Sequence, residues 1–290
     1  MRFHRGWIEP VLTVPYIPTL GPVHRDDPLF DLMEAVVANA TTGQVLPYDK
    51  DGRWSDSKSE WVVVDGIEHG PARTLVPTFL ERGPGTVKVH VYGGGDDGLS
   101  AGADLARKLA ASLGAGAARV VSFLGPDQPE ELVWDGAVRV QLKELSGGSG
   151  QAPGGLVWDY KEIDEPEAFG VFAERMTADG FGFLYERMRA GTSGPVLVVL
   201  DEGRLAGAIG PMEVMSDASA RPRLLPQYFG VLPEYRGFGY GRTLWRAAMN
   251  WGHQHGAEYQ LLQTVVGGPS DRLCQSEGLS SLGFVLKKDA

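Results

Sequence analysis

The chain has 290 residues, 43% of them apolar, a formal net charge of −10 and one cysteine, Cys274. That length suits two domains of ordinary size. The acidic balance argues against nucleic acid, which needs a basic face, and a lone cysteine excludes an intrachain disulfide. A reducing, cytoplasmic setting fits the cysteine usage. No apolar run is long enough to span a bilayer and no basic-plus-apolar signal segment opens the chain, so no membrane association is expected. Six scattered histidines give no metal-ligand spacing, and no metal is expected.

In chain order, a first strand is expected at Ile8–Val14. Leu29, Leu32, Met33, Val36 and Val37 mark one face of a helix. Trp61–Val64, Thr74–Leu80 and Val87–Tyr92 read as strands. A glycine-rich loop at 93–98 leads into a helix whose Leu105, Leu109 and Leu113 share a face. Val120–Phe123 and Val138–Leu142 follow as strands. The run 146–155 is glycine and serine at a density that builds no core, and it divides the chain into domains 1–145 and 156–290.

The second half opens with a strand at Leu156–Glu162. Asp164 and Pro166 stand where helix-start signals belong, ahead of an apolar face of Phe169, Phe172, Ala173 and Met176. A short helix at Leu184–Arg189 follows. Asp201-Glu202-Gly203 turns a hairpin between strands Val196–Leu200 and Leu205–Val214. Leu224–Leu232 is a strand, 241–255 a helix ending near Gly256, and Tyr259–Val265 a strand. A helix at Asp271–Glu277 and a strand at Phe284–Lys287 close the chain.

The most informative stretch is Val231-Leu232-Pro233-Glu234-Tyr235-Arg236-Gly237-Phe238-Gly239-Tyr240-Gly241-Arg242, set between a strand and a helix. Three glycines in five residues let backbone approach a ligand. The first N–H groups of a helix lack intrahelical partners and suit an anion. Val-x-Pro-x-x-Arg-Gly-x-Gly-x-Gly in this setting resembles the acyl-CoA motif of the GNAT N-acetyltransferase superfamily, and the likeness covers roughly 156–288. It implies an α/β (α+β) fold, a mixed and mostly antiparallel sheet flanked by helices, and an acyl-CoA co-substrate such as acetyl-CoA. By the same likeness Phe229, Gly230 and Val231 face the acyl-pantetheine arm through backbone groups. Arg236, Gly237, Phe238, Gly239, Tyr240, Gly241 and Arg242 form the pyrophosphate cradle.

A shift of 139 lays Gly98 on Gly237, Gly102 on Gly241, Leu105 on Leu244 and Arg107 on Arg246. Two tandem GNAT-like domains are expected on that ground. Asp97 then falls on Arg236 and Ser100 on Gly239, so the first copy is expected not to hold coenzyme A. A carboxylate beside a pyrophosphate is repulsive.

In the resembled family an amine attacks the thioester directly, which requires a base near the nitrogen. Glu213 and Tyr228 are the candidates. Gln227 is a candidate for orienting substrate or water. The tyrosine that protonates the leaving thiolate in many of these enzymes is replaced by Leu279, in Leu279-Ser280-Ser281-Leu282-Gly283-Phe284. Cys274 has no basic partner in the sequence and reads as a small buried residue. Phe181, Phe183 and Tyr185 are read either as lining an acceptor pocket or as core. The expected reaction is acyl transfer from acyl-CoA to a primary amine of a small molecule, by a monomer or homodimer. The alternatives are a catalytically weak acyl-CoA-binding regulator and a protein acetyltransferase.

Overall fold

The computed structural model describes residues 4–128, 136–145, 157–163 and 167–290. The expected linker at 146–155 and the helix-start residues Asp164 and Pro166 lie outside the described residues. In chain order the first elements are β1 (Tyr16–Ile17), β2 (Gly21–Pro22), α1 (Leu29–Asn39), β3 (Glu60–Val62), β4 (Glu68–Gly70) and β5 (Arg73–Leu80). Then come β6 (Thr86–Gly93), α2 (Gly95–Leu113), β7 (Ala117–Leu124) and β8 (Val138–Glu144). β9 (Val157–Asp159), α3 (Ala168–Arg175), α4 (Phe181–Arg189), β10 (Leu197–Asp201), β11 (Arg204–Gly210), β12 (Val214–Ser216) and β13 (Pro222–Leu224) follow. The chain ends with β14 (Tyr228–Val231), α5 (Tyr240–Gln254), β15 (Tyr259–Val265), α6 (Pro269–Ser276) and β16 (Ser280–Asp289). The fold is mixed α/β, with sheets flanked by helices.

The chain divides into two compact units, Met1–Leu142 with Leu261–Ala290, and Lys143–Gln260. This differs from the sequence-based division into 1–145 and 156–290 at the C-terminal end. The cause is backbone pairing: β16 runs antiparallel to β7 from Phe284↔Leu124 to Asp289↔Arg119, and to β8 from Ser280↔Leu142 to Val285↔Val138. A long ladder of this kind outweighs nearness in sequence.

In the first unit the strand order is β8-β16-β7-β6-β5-β3, with β4 also on β5. Alternation along β6 sends Val87, Val89 and Val91 toward Leu105, Ala106 and Ala110 of α2. Val62, Val76 and Tyr92 instead join Leu32, Met33, Val36 and Val37 of α1. Asp271, at the start of α6, is a buried polar hub. It accepts from Arg139 Nε (3.0 Å), Gln141 Nε2 (3.1 Å), Thr264 Oγ1 (2.9 Å) and Gly267 N–H (2.9 Å). The expected strand at Ile8–Val14 is instead a run of turns: Arg5–Trp7 is a 3-10 helix, and Val11 and Leu12 N–H both donate to Ile8 O.

In the second unit β14-β11-β10-β9 form an antiparallel sheet. Phe169, Phe172, Phe181 and Leu184 of α3 and α4 bury against its Val198 and Ala208. A second set of strands joins β12 to β13, and β13 in parallel to β15 at Arg223↔Tyr259 and Leu224↔Gln260. The single strand expected at Leu224–Leu232 is therefore two strands that belong to different sheets. The break falls at Leu225-Pro226-Gln227, where proline has no N–H for a ladder. Gln260 Nε2 donates to Gln227 Oε1 (2.7 Å) beside the break, and Gln227 Nε2 donates to Leu225 O (2.6 Å).

Candidate functional site: an open strand edge and a glycine turn

The site is built on β14. Its only strand partner among the described residues is β11, with Gly207↔Val231 and Ile209↔Phe229 opposite each other. Leu232 N–H donates to Ala206 O at 2.9 Å, which sets the phase of the ladder. Hydrogen-bonded pairs alternate in an antiparallel ladder, so the N–H and C=O groups of Phe229 and Val231 face the outer edge. The side chains divide between faces. A Cβ on Gly230 would lie 2.5 Å from Met176 Cε and 3.0 Å from Phe181, so glycine lets α3 and α4 close on the strand. The Tyr228 ring crosses Gly180 on that same face. Phe229 and Val231 point the other way, 3.5 and 3.8 Å from a Cβ placed on Gly241 of α5.

Between β14 and α5 the chain makes a 3-10 turn at Pro233–Tyr235 and then the glycine turn. Gly237 and Gly239 have φ of +89° and +87°. Nothing lies within 4 Å of a Cβ on either, so backbone conformation and not lack of space calls for glycine there. Gly239 is the N-cap of α5, with no side-chain cap and no acidic residue in the first turn. Arg236 Nε donates to the outward Val231 carbonyl at 3.0 Å. Arg175 grips Glu234 through two bonds of 2.7 and 2.8 Å, and the Tyr240 hydroxyl donates to Asp201 Oδ1 at 2.5 Å. Hydrogen bonding to Asp201 raises the Tyr240 phenol above its usual range, so it remains a donor. Phe238 is 72% exposed. An uncapped helix start beside an arginine is an anion-accepting arrangement. Sequence reasoning misses Asp201, Arg175 and Glu234 as parts of this site; the only local signal at Asp201 is the hairpin.

The candidate catalytic side chains gather at the Gly210 end of the sheet. Tyr228 pairs with Gly210 across the strands, is half-buried, and lies 6.3 Å from both Phe181 and Phe183 between ring centres. Glu213 follows the cis Gly210–Pro211 bond, is half-buried, and accepts Gly194 N–H at 3.4 Å. Of the three candidate pocket aromatics, Phe181 is wholly buried core, Tyr185 packs partly buried against that core, and Phe183 is 45% exposed. Cys274 is buried, and burial followed by the charge of Asp271 pushes its thiol up to about 12. It is no nucleophile. Leu279 is buried and offers no acid.

The first half has the related segment β6–turn–α2–β7, but the shift of 139 aligns it wrongly. The left-handed N-caps are Gly94 (φ +80°) and Gly239 (φ +87°), an offset of 145. Gly98 and Gly102 lie inside α2 and not in a turn. A Cβ on either would meet Gly93 O at 2.7 Å or Val91 Cγ2 at 2.6 Å, so these glycines let the helix lie close on β6. β6 and β7 pair in parallel from Thr86↔Ala117 to Val91↔Ser122, leaving no open edge between them. Asp96 and Asp97 occupy the first turn of α2. Among the described residues no cluster of metal-ligating side chains occurs and no helix is long and apolar enough to cross a membrane.

Residues 157–272 match the family model described as Acetyltransferase (GNAT) family. No curated protein matches the chain. Among solved structures, a GCN5-related N-acetyltransferase from Sphaerobacter thermophilus is 15% identical, with 88% of this chain and 93% of that chain covered and a TM-score of 0.48. A tandem GNAT protein from the clavulanic acid biosynthesis pathway is 16% identical, with 92% and 96% covered and a TM-score of 0.46. A GNAT-family acetyltransferase from Colwellia psychrerythraea is 11% identical, with 92% and 97% covered and a TM-score of 0.49. Likenesses this distant assign no substrate.

Proposed function

We propose that this chain is an acyl-CoA-dependent N-acyltransferase acting on the primary amine of a small molecule, a reading supported by the match of residues 157–272 to the GNAT family model, whose fold supports acyl transfer. The observation that carries this reading is the outward backbone edge of Phe229 and Val231, followed after the turn at 232–238 by an uncapped helix start. The Phe229 N–H and C=O and the Val231 N–H suit the amides of an extended pantetheine arm, beside a Val231 carbonyl that already accepts from Arg236. The backbone N–H groups of Gly237 to Arg242 suit a pyrophosphate, with Arg236 adding positive charge. The fit extends to the glycine backbone, where two left-handed residues stand clear of any neighbour.

A bound acyl-CoA supplies an activated thioester. Direct attack by the amine then forms the C–N bond and breaks the C–S bond, so the chain needs no nucleophile of its own, in keeping with the buried, protonated Cys274. Glu213 takes the proton from the substrate ammonium, directly or through water, and Tyr228 orients the amine at the same end of the sheet. An ordinary thiol has a pKa of about 8.5, so thiolate departure proceeds without a tyrosine at position 279. A second reading, an acyl-CoA-binding regulator without turnover, is favoured by that buried Leu279.

Calorimetric titration of the full chain with acetyl-CoA tests the reading, followed by thiol release with a panel of amines. One site per chain is expected, weakened about tenfold or more in Arg236→Glu, given the strength of charge-assisted bonds. Glu213→Gln is expected to lose turnover with acetyl-CoA affinity unchanged. Absence of acetyl-CoA binding overturns the proposal, and binding without turnover on any amine moves it to the regulator.

A further inference from the structure

The glycine turn is sparsely packed for a segment asked to hold an anion in register. Gly237 and Gly239 have nothing within 4 Å of a Cβ position, and the Phe238 side chain between them is 72% exposed. Its orientation therefore depends on side-chain pins. Two act upstream of Gly237: the Arg175–Glu234 pair fixes the 3-10 turn, and Arg236 fixes itself to the Val231 carbonyl. Downstream, the first residue of α5 is Tyr240, and its hydroxyl reaches Asp201 at the end of β10. The β10–β11 corner is itself a tight hairpin through Glu202 (φ +46°) and Gly203 (φ +80°), which makes Asp201 a fixed post.

We propose that Asp201 is a positioning residue for the coenzyme-binding turn: through the Tyr240 hydroxyl it aims the first N–H groups of α5. The proposal rests on the reading of that turn as the acyl-CoA cradle. Its physical basis is that the helix start sets the direction of those N–H groups, and small misplacements of an anion-binding group are costly. Asp201 also brings a negative charge toward an anion site. Its charge and its hydrogen-bond acceptance thus have opposite effects on coenzyme affinity and are separable by substitution. Asp201→Asn keeps a carbonyl oxygen that accepts from Tyr240 and drops the charge; Asp201→Ala drops both.

The test uses the full chain as wild type, Asp201→Asn, Asp201→Ala, Tyr240→Phe and the Asp201→Ala/Tyr240→Phe double variant. Each is measured by peptide-resolved hydrogen exchange without ligand and by acetyl-CoA calorimetry, with thermal unfolding as a check of folding. Asp201→Ala and Tyr240→Phe are each expected to speed exchange across 237–244; Tyr240→Phe should weaken acetyl-CoA by about fivefold, the net scale of one hydrogen bond, and Asp201→Ala by less, because it also removes the repelling charge. The double variant should be no worse than either single. Asp201→Asn should restore wild-type exchange and bind at least as tightly as wild type. Wild-type exchange in Asp201→Ala, wild-type affinity in Tyr240→Phe, additive exchange effects in the double variant, or an Asp201→Asn that exchanges like alanine each overturn the proposal. A wild type that binds no acetyl-CoA overturns the cradle reading itself, while the exchange data still decide whether Asp201 pins the turn.

Discussion

The chain builds a β–turn–α–β segment twice, and the two differ where function would be decided. In the first, β6 ends at Gly93 and the next residue, Gly94, already caps α2. In the second, Leu232–Phe238 intervene between the end of β14 and the cap at Gly239. β6 is paired on both sides, by β5 and β7, whereas β14 has only β11 among the described residues. The first helix carries Asp96 and Asp97 in its opening turn, so its positive end is met by the protein's own carboxylates. The second has no acid there. One supersecondary unit is thus closed in one copy and open in the other, and the difference is a short insertion, one unpaired edge and two carboxylates.

The hardest blow to this contrast would fall on Gly239. Valine fits the open space there, but a β-branched residue resists φ near +87°, a strain of about 1–3 kcal/mol that the turn would relieve by moving. Gly239→Val is expected to weaken acetyl-CoA about a hundredfold with little change in unfolding temperature, because nothing packs on the site. Calorimetry beside a melting curve checks both halves of that statement. Unchanged affinity would mean that the turn is not the receptor.

Much of the second segment is legible in the sequence because a left-handed backbone leaves few alternatives to glycine. The strand Tyr259–Val265 and the helix after Gly239 fall where periodicity puts them. The repeat misleads for a related reason: Gly98 and Gly102 are spaced like a cradle but serve helix–sheet contact, and spacing alone does not distinguish the two uses. Pro226, with no N–H to give a ladder, is the local sign that Leu224–Leu232 is no single strand, and apolar content outweighs it in a reading by pattern. The placement of residues 261–290 with the first unit rests on pairing between strands more than a hundred residues apart, which no local pattern encodes. Asp201 escapes such a reading because its partner, Tyr240, stands far along the chain.

A smaller effect separates the strands by burial. His90 of β6 is buried, its Nδ1 near Val76 O at 3.2 Å, and burial above all depresses its pKa from 6.5 to about 4. A depressed histidine contributes stability that is fully present above pH 6.5 and is lost as pH falls toward 4. The difference in proton binding between pH 7 and pH 5 is worth about 2 kcal/mol. Urea unfolding should register that loss, and His90→Gln should flatten it over this window, in which ordinary carboxylates remain ionised. An equally steep decline in the variant would remove β6 as the source.

The smallest expected effect is the most discriminating, because charge and geometry make opposite forecasts. If Asp97 alone kept the first segment from binding, Asp97→Arg would create a second acetyl-CoA site. Asp97, however, is in the first turn of a helix whose cap directly follows its strand, and Arg73 Nη1 reaches the Asp97 carbonyl at 3.4 Å. No residues are available there to form a cradle, and β7 occupies the edge that an extended ligand would need. Reversing the charge supplies neither. Asp97→Arg should therefore bind one acetyl-CoA per chain, as the wild type is expected to do, with an unaltered dissociation constant. A calorimetric stoichiometry of two would show that the carboxylate, and not the missing turn and the closed edge, separates the two segments.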